Sequence, residues 1–66
     1  MLLKPKYNYG NIVKFKNNDE IRFGKIEIID FNGRHEPSYD IMVEDENCLY
    51  KHIRESFIEG EMLLEK

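Results

Sequence analysis

Polar and apolar side chains alternate along most of this chain, and the alternation has period two. In "GNIVKFK" (10–16), Val13 and Phe15 fall on one side and Lys14 and Lys16 on the other. That is the pattern of a strand with one face on a core and one in water. "NNDE" (17–20) follows as a polar hairpin tip. "IRFGKIEIID" (21–30) is the longest strand candidate. Ile21 and Phe23 alternate with Arg22, but after Gly24 the apolar positions become Ile26 and Ile28. A glycine at such a slip predicts a β-bulge or sharp bend. "FNGRHEP" (31–37) holds a tight turn at Asn32-Gly33.

The second half is equally regular. In "SYDIMVE" (38–44), Tyr39, Ile41 and Val43 oppose Asp40, Met42 and Glu44. "DEN" (45–47) is a compact turn, because Asp and Asn tolerate left-handed geometry, and "CLYKHI" (48–53) returns as the hairpin partner. "RES" (54–56) suits one 3₁₀ turn, and "FIEG" (57–60) a last short strand. No helical period holds over a comparable window before the C-terminus. The expected fold is therefore all-β: a small five-stranded SH3-like barrel with a 3₁₀ turn before the last strand. A five-stranded sandwich of other topology is the rival. Residues 1–66 form one domain with short apolar tails, "MLLK" and "MLLEK". These tails either close the ends of the barrel, make a short helical turn at the C-terminus, or join two copies. A homodimer is expected, since a small domain without staples gains from association.

Composition narrows the class. A chain of 66 residues with one cysteine, Cys48, has no internal disulfide, and no Cys/His spacing suggests zinc. The single thiol fits a reducing, cytoplasmic setting. "MLLKPKY" is too short an apolar stretch for a signal peptide or a membrane helix, so no membrane association is expected. The net charge of −3, with scattered bases and an acidic "EDE" at 44–46, argues against duplex nucleic acid. A local basic patch for one small anion remains compatible with it.

Catalytic constellations are absent. His35 lies in a polar loop and His52 on a strand, and both read as exposed imidazoles. Cys48 and His52 share strand parity but stand roughly 13 Å apart along an extended chain. Cys48 reads instead as a small packed residue. Ser56 lacks a nucleophile elbow, and the four glycines stand alone rather than forming a phosphate loop. The chain is therefore read as a binding protein, not an enzyme, with no metal and no cofactor.

The octet "LYKHIRES" (49–56) concentrates the remaining polar chemistry. If Leu49 and Ile53 face the core, Tyr50 and His52 point outward and Lys51 points inward. An inward lysine must snorkel, pair with an acid such as Glu55, or mark an irregular register. An aromatic cage for methyl-lysine would draw on Tyr7, Tyr9, Tyr50 and Phe31, although any core uses such residues. A stacking-plus-cation pocket for a nucleotide-like anion would draw on a tyrosine, Arg34 or Arg54, Lys51 and His52. This second mode suits the charge mix better, because one phosphate needs only one or two bases.

At "GKIEIID" and "PSYDIMVEDENCLYKHIRESFI" the chain resembles a group of small proteins from phages and prophages of bacteria. They are similar to SH3-like barrels and share a Pro-Ser-Tyr-Asp-Ile strand and a Leu-Tyr-Lys-His-Ile-x-Glu-Ser turn. The similarity covers roughly residues 9 to 58. It implies a non-enzymatic protein of the host cytoplasm that blocks a host process. The expected function is sequestration of a small anionic, nucleotide-like ligand, a sponge for signals of bacterial immunity. The alternative is a module that binds and inhibits or adapts a host protein, using Met42, Phe57 and the tails. For the first, the implied roles are ring stacking by Tyr39 or Tyr50, anion binding by Lys51, His52 and Arg54, and polar readout by Ser38, Asp40 and Glu55.

Overall fold

The computed structural model describes residues 4–62. The strands are β1 (Ile12–Asn17), β2 (Glu20–Asp30), β3 (Ser38–Val43), β4 (Cys48–Arg54) and β5 (Ile58–Glu61). Two 3₁₀ turns, η1 (Glu44–Glu46) and η2 (Glu55–Phe57), precede β4 and β5. No α-helix occurs among the described residues. All five strands form one antiparallel sheet in the order β4-β3-β2-β1-β5. β4 and β5 are its two edges and do not pair with each other, so the ladder is open. Apart from Met62, the "MLL" tails expected to close the ends or join copies lie outside the described residues.

The sheet curls around one core. β1 supplies Val13 and Phe15, β2 Ile26, β3 Tyr39, Ile41 and Val43, β4 Ile53 and β5 Ile58, all buried. Tyr7, Ile29 and Tyr50 pack against them. The alternation of β1 and β3 thus transfers directly from sequence to structure. The "DEN" turn does as well: Asn47 adopts left-handed geometry at φ 52° and donates its N–H to the Glu44 carbonyl. The 3₁₀ turn expected at 54–56 lies one residue later.

The parity slip in β2 lies elsewhere than expected. Pairing with β1 runs unbroken from Glu20 to Lys25, straight through Gly24. The irregularity falls between Ile26 and Ile28 in the ladder with β3, leaving Glu27 as the extra residue. Gly24 has another reason to be glycine. A Cβ there would sit 2.6 Å from both Ile41 Cγ2 and the Met42 carbonyl oxygen. Because the parity changes after Gly24 rather than at it, Ile21 and Phe23 lie on the outer face and are exposed.

β4 carries a second irregularity. Tyr39 faces Ile53 and Ile41 faces Tyr50, so Asp40 opposes both Lys51 and His52. His52 takes a positive φ of 59°, and its N–H donates to Asp40 Oδ1 at 3.1 Å. This two-against-one arrangement is a β-bulge. It resets the parity of the octet and corrects the reading of its side chains. Tyr50 turns inward, with its ring edge on Phe15 at 5.6 Å. Leu49 lies half-buried on the outer face opposite Met42, and Lys51 is exposed. The apparent inward lysine was the mark of an irregular register. Cys48 is also exposed, not packed.

Candidate functional site

The bulge and the neighbouring connection build one polar groove. In the ladder, Asp30 faces Ser38 and Ser38 faces Arg54, so these three form a row across β2, β3 and β4. Their neighbours Ile29, Tyr39 and Ile53 point to the core, so the row itself points outward. The 31–37 connection rises on one side of this row and the β4 bulge on the other. Together Asp30, Ser38 and Arg54 with Asn32, His35, Glu36 and His52 line an open cavity of about 490 Å³.

Each wall has a local cause. Asn32 Oδ1 accepts the N–H groups of Arg34 at 2.8 Å and His35 at 3.3 Å, and Gly33 takes a φ of 84°. This side-chain-to-backbone turn folds the connection back and presents His35 at the rim. Glu36 Oε2 accepts the Ser56 N–H, and the Pro37 carbonyl accepts the Glu55 N–H at 2.9 Å. These bonds fasten the connection to η2. The bonds from Ser56 hold the Glu36 carboxyl below the usual carboxylate range, with nearby Arg54 adding to the effect. On the opposite wall, Asp40 grips the backbone of His52 and so fixes where the imidazole starts.

Comparison with protein-family models, curated proteins and solved structures finds no match. The groove is therefore read from its own residues.

The structure divides the expected site residues. Ser38, His52 and Arg54 meet at the groove, and His35, expected as an exposed imidazole of a polar loop, joins them. Asp30, Asn32 and Glu36 are additions that the sequence did not single out. Lys51 is exposed but does not line the cavity. Tyr39 is fully buried, which corrects its assignment as a stacking ring. Its hydroxyl donates to Glu55 Oε2 at 2.7 Å, and burial followed by this bond pushes its pKa up. Glu55 Oε2 also accepts the Lys6 N–H at 2.9 Å, and Tyr7 lies edge-on to Tyr39 at 5.8 Å. Glu55 thus fastens the N-terminal segment to the core instead of facing the groove. Tyr50 is likewise taken: its hydroxyl donates to Glu46 and Arg22 covers its ring. With Tyr7 on Tyr39 and Tyr50 on Phe15, the aromatics do not converge as a cage requires.

The groove is a hydrogen-bonding surface with mixed charge. Arg54 brings a fixed cation, Asp30 and Glu36 bring carboxylates, and Ser38, Asn32, His35 and His52 bring short polar groups. Among the described residues, no group of three or more His, Cys, Asp or Glu is arranged to hold a metal ion.

Proposed function

We propose that this chain is a non-catalytic binding protein that takes a small anionic, nucleotide-like ligand in this groove. The observation that carries the reading is the convergence of Arg54, His35 and His52 with Ser38 and Asn32 around one cavity. A guanidinium can meet a phosphate with two parallel N–H donors, and one phosphate needs few further bases. Glu36 is already engaged by Ser56, which leaves Asp30 to accept from an amino or hydroxyl group of the ligand. A ligand with both an anionic end and hydrogen-bond donors matches this division. The strand order, with η2 between β4 and β5, supports an SH3-like barrel as the scaffold. The resemblance to phage proteins supports sequestration of a nucleotide-type signal in a host cell.

A melting-midpoint screen against nucleoside monophosphates, diphosphates and cyclic nucleotides tests this. At least one should raise the midpoint, and Arg54→Ala and His35→Ala should each abolish the rise. If no nucleotide raises it, while Arg54→Ala leaves biological activity intact, the reading fails.

A second reading, docking on a host protein, draws on Phe57. Its ring is 52% exposed and borders a shallow depression with Lys16, Asn18 and Asp19. That reading predicts a stoichiometric host partner in a pull-down, lost on Phe57→Ser and unaffected by Arg54→Ala.

A further inference from the structure

The outer face of the sheet has a second, unlike half. An antiparallel sheet with one face on a core normally turns polar side chains to water on the other. At the β1–β2 hairpin end this chain does the opposite. Ile21 and Phe23 are 43% and 49% exposed on β2. The ladder places more apolar residues on the same face: Ile12 opposite Lys25, Lys25 opposite Met42, and Met42 opposite Leu49. Ile12, Phe23 and Met42 share a shallow depression of about 180 Å³ whose rim includes Glu44 and Asp45. Grouped exposed apolar side chains on so small a domain mark an interaction surface.

The charges beside this patch say what fits it. On the β1 flank, Lys14 stands opposite Phe23 and Lys16 opposite Ile21. On the β3 flank stand the exposed carboxylates of Glu44 and Asp45. Lys25 interrupts the ridge on β2, where it pairs with Glu27 at 3.8 Å, and the flanks carry cations on the β1 side and anions on the β3 side. We infer that this face pairs two copies of the chain about a two-fold axis over Phe23. With that axis parallel to the strands the flanks are exchanged, so Lys14 and Lys16 of one protomer meet Glu44 and Asp45 of its partner, twice over. A uniformly acidic or basic partner would match only one flank. Lys14 already pairs with Glu59 at 3.7 Å, but both side chains are more than 40% exposed and such a pair is weak and exchangeable. The groove lies at the other end of the sheet, beside the β2–β3 connection, so this surface is independent of the proposed ligand.

Sedimentation equilibrium on the full chain tests the pairing. The wild type should show a monomer–dimer equilibrium, and Phe23→Ser should weaken it by at least about tenfold. The double variant Lys14→Glu/Lys16→Glu places acids on both flanks, and Glu44→Lys/Asp45→Lys places lysines on both. Each should be monomeric alone, and an equimolar mixture should form a heterodimer. Circular dichroism establishes that each variant is folded, and if either double variant is not, Lys16→Glu and Asp45→Lys serve as the pair. A wild type that stays monomeric at submillimolar concentration overturns the inference. So does a mixture that does not associate, or Phe23→Ser with unchanged association.

Discussion

The guanidinium carbon of Arg22 lies 5.2 Å from the centroid of the Tyr50 ring. The same side chain reaches Glu20 at 2.7 Å and Glu46 at 3.1 Å, and Tyr50 donates its hydroxyl to Glu46. One cation thus ties β2, η1 and β4 together above Phe15. A lysine would keep the charge but lose the planar fork and the flat contact with the ring. Arg22→Lys should lower the thermal midpoint, and Arg22→Ala should lower it further. Equal midpoints for wild type and Arg22→Lys would show that charge alone matters at this position.

The Tyr39 hydroxyl makes its bond to Glu55 from a fully buried ring. Tyr39→Phe keeps the ring and deletes the bond, which should cost about 1–2 kcal/mol in urea denaturation. The loss should also loosen the N-terminal segment, because Glu55 holds the Lys6 N–H as well. Faster amide exchange at Lys6 in Tyr39→Phe is the specific check.

Gly24 sits where β3, the strand paired beside β2, comes close to it. Adding one methyl forces it to within 2.6 Å of Ile41 Cγ2 and the Met42 carbonyl oxygen unless the strands separate. Gly24→Ala should therefore destabilise by about 1–3 kcal/mol, as overpacking does. A fall in the urea midpoint at unchanged slope would confirm it. An unchanged midpoint would mean that the two strands part freely.

What the sequence made legible follows from where the backbone is regular. β3 has no inserted residue of its own, so Tyr39, Ile41 and Val43 read as core and are core. The bulges showed as conflicts of parity, near Gly24 and at Lys51, but their positions were not legible. Their extra residues are Glu27 in β2 and the Lys51–His52 pair in β4, types that carry no backbone signal. His52 holds its left-handed conformation because Asp40, distant in sequence, accepts its N–H. One such insertion inverts every assignment beyond it. That is why Tyr50 is inward, Lys51 is outward, and Ile21 and Phe23 lie on the outer face. The candidate site was legible only in its strand residues: Ser38, His52 and Arg54 stood out as polar residues near strand ends. His35, Asn32 and Glu36 join them through a connection folded back by the Asn32 side chain, and loop composition alone does not reveal that fold.

The positive φ of His52 sets stability against the proposed function. A non-glycine residue in the left-handed region is strained by about 1–2 kcal/mol, whereas glycine adopts it freely but is more mobile when unfolded. His52→Gly should therefore leave the protein more stable by about 0.5–1 kcal/mol while weakening ligand binding. A variant that is less stable than wild type would show that the imidazole makes compensating contacts. A more stable variant with intact binding would remove His52 from the site.

The Tyr50–Glu46 hydrogen bond should limit stability at both ends of the pH scale. Donation from Tyr50 and then from Arg22 holds the Glu46 carboxyl below the usual carboxylate range. Between that depressed value and the ordinary value of about 4.3, the unfolded chain binds more protons than the folded one. Stability from this bond is thus complete above the ordinary value and is lost as pH falls through the folded one. Glu36, depressed by Ser56, adds to the same acid limb. At the other end, the bond to Glu46 raises the Tyr50 pKa. Its contribution is complete below the ordinary tyrosine value of about 10 and is lost as pH rises through the folded one. Tyr39, raised by burial and by Glu55, adds to this alkaline limb. The midpoint plotted against pH should therefore form a plateau with two falling limbs. Tyr50→Phe deletes the shared bond, so it should lower the plateau and make both limbs shallower. Glu46→Gln leaves an acceptor without a titrating carboxyl, so it should flatten the acid limb most. Limbs of unchanged steepness in Tyr50→Phe would assign the pH dependence to other groups.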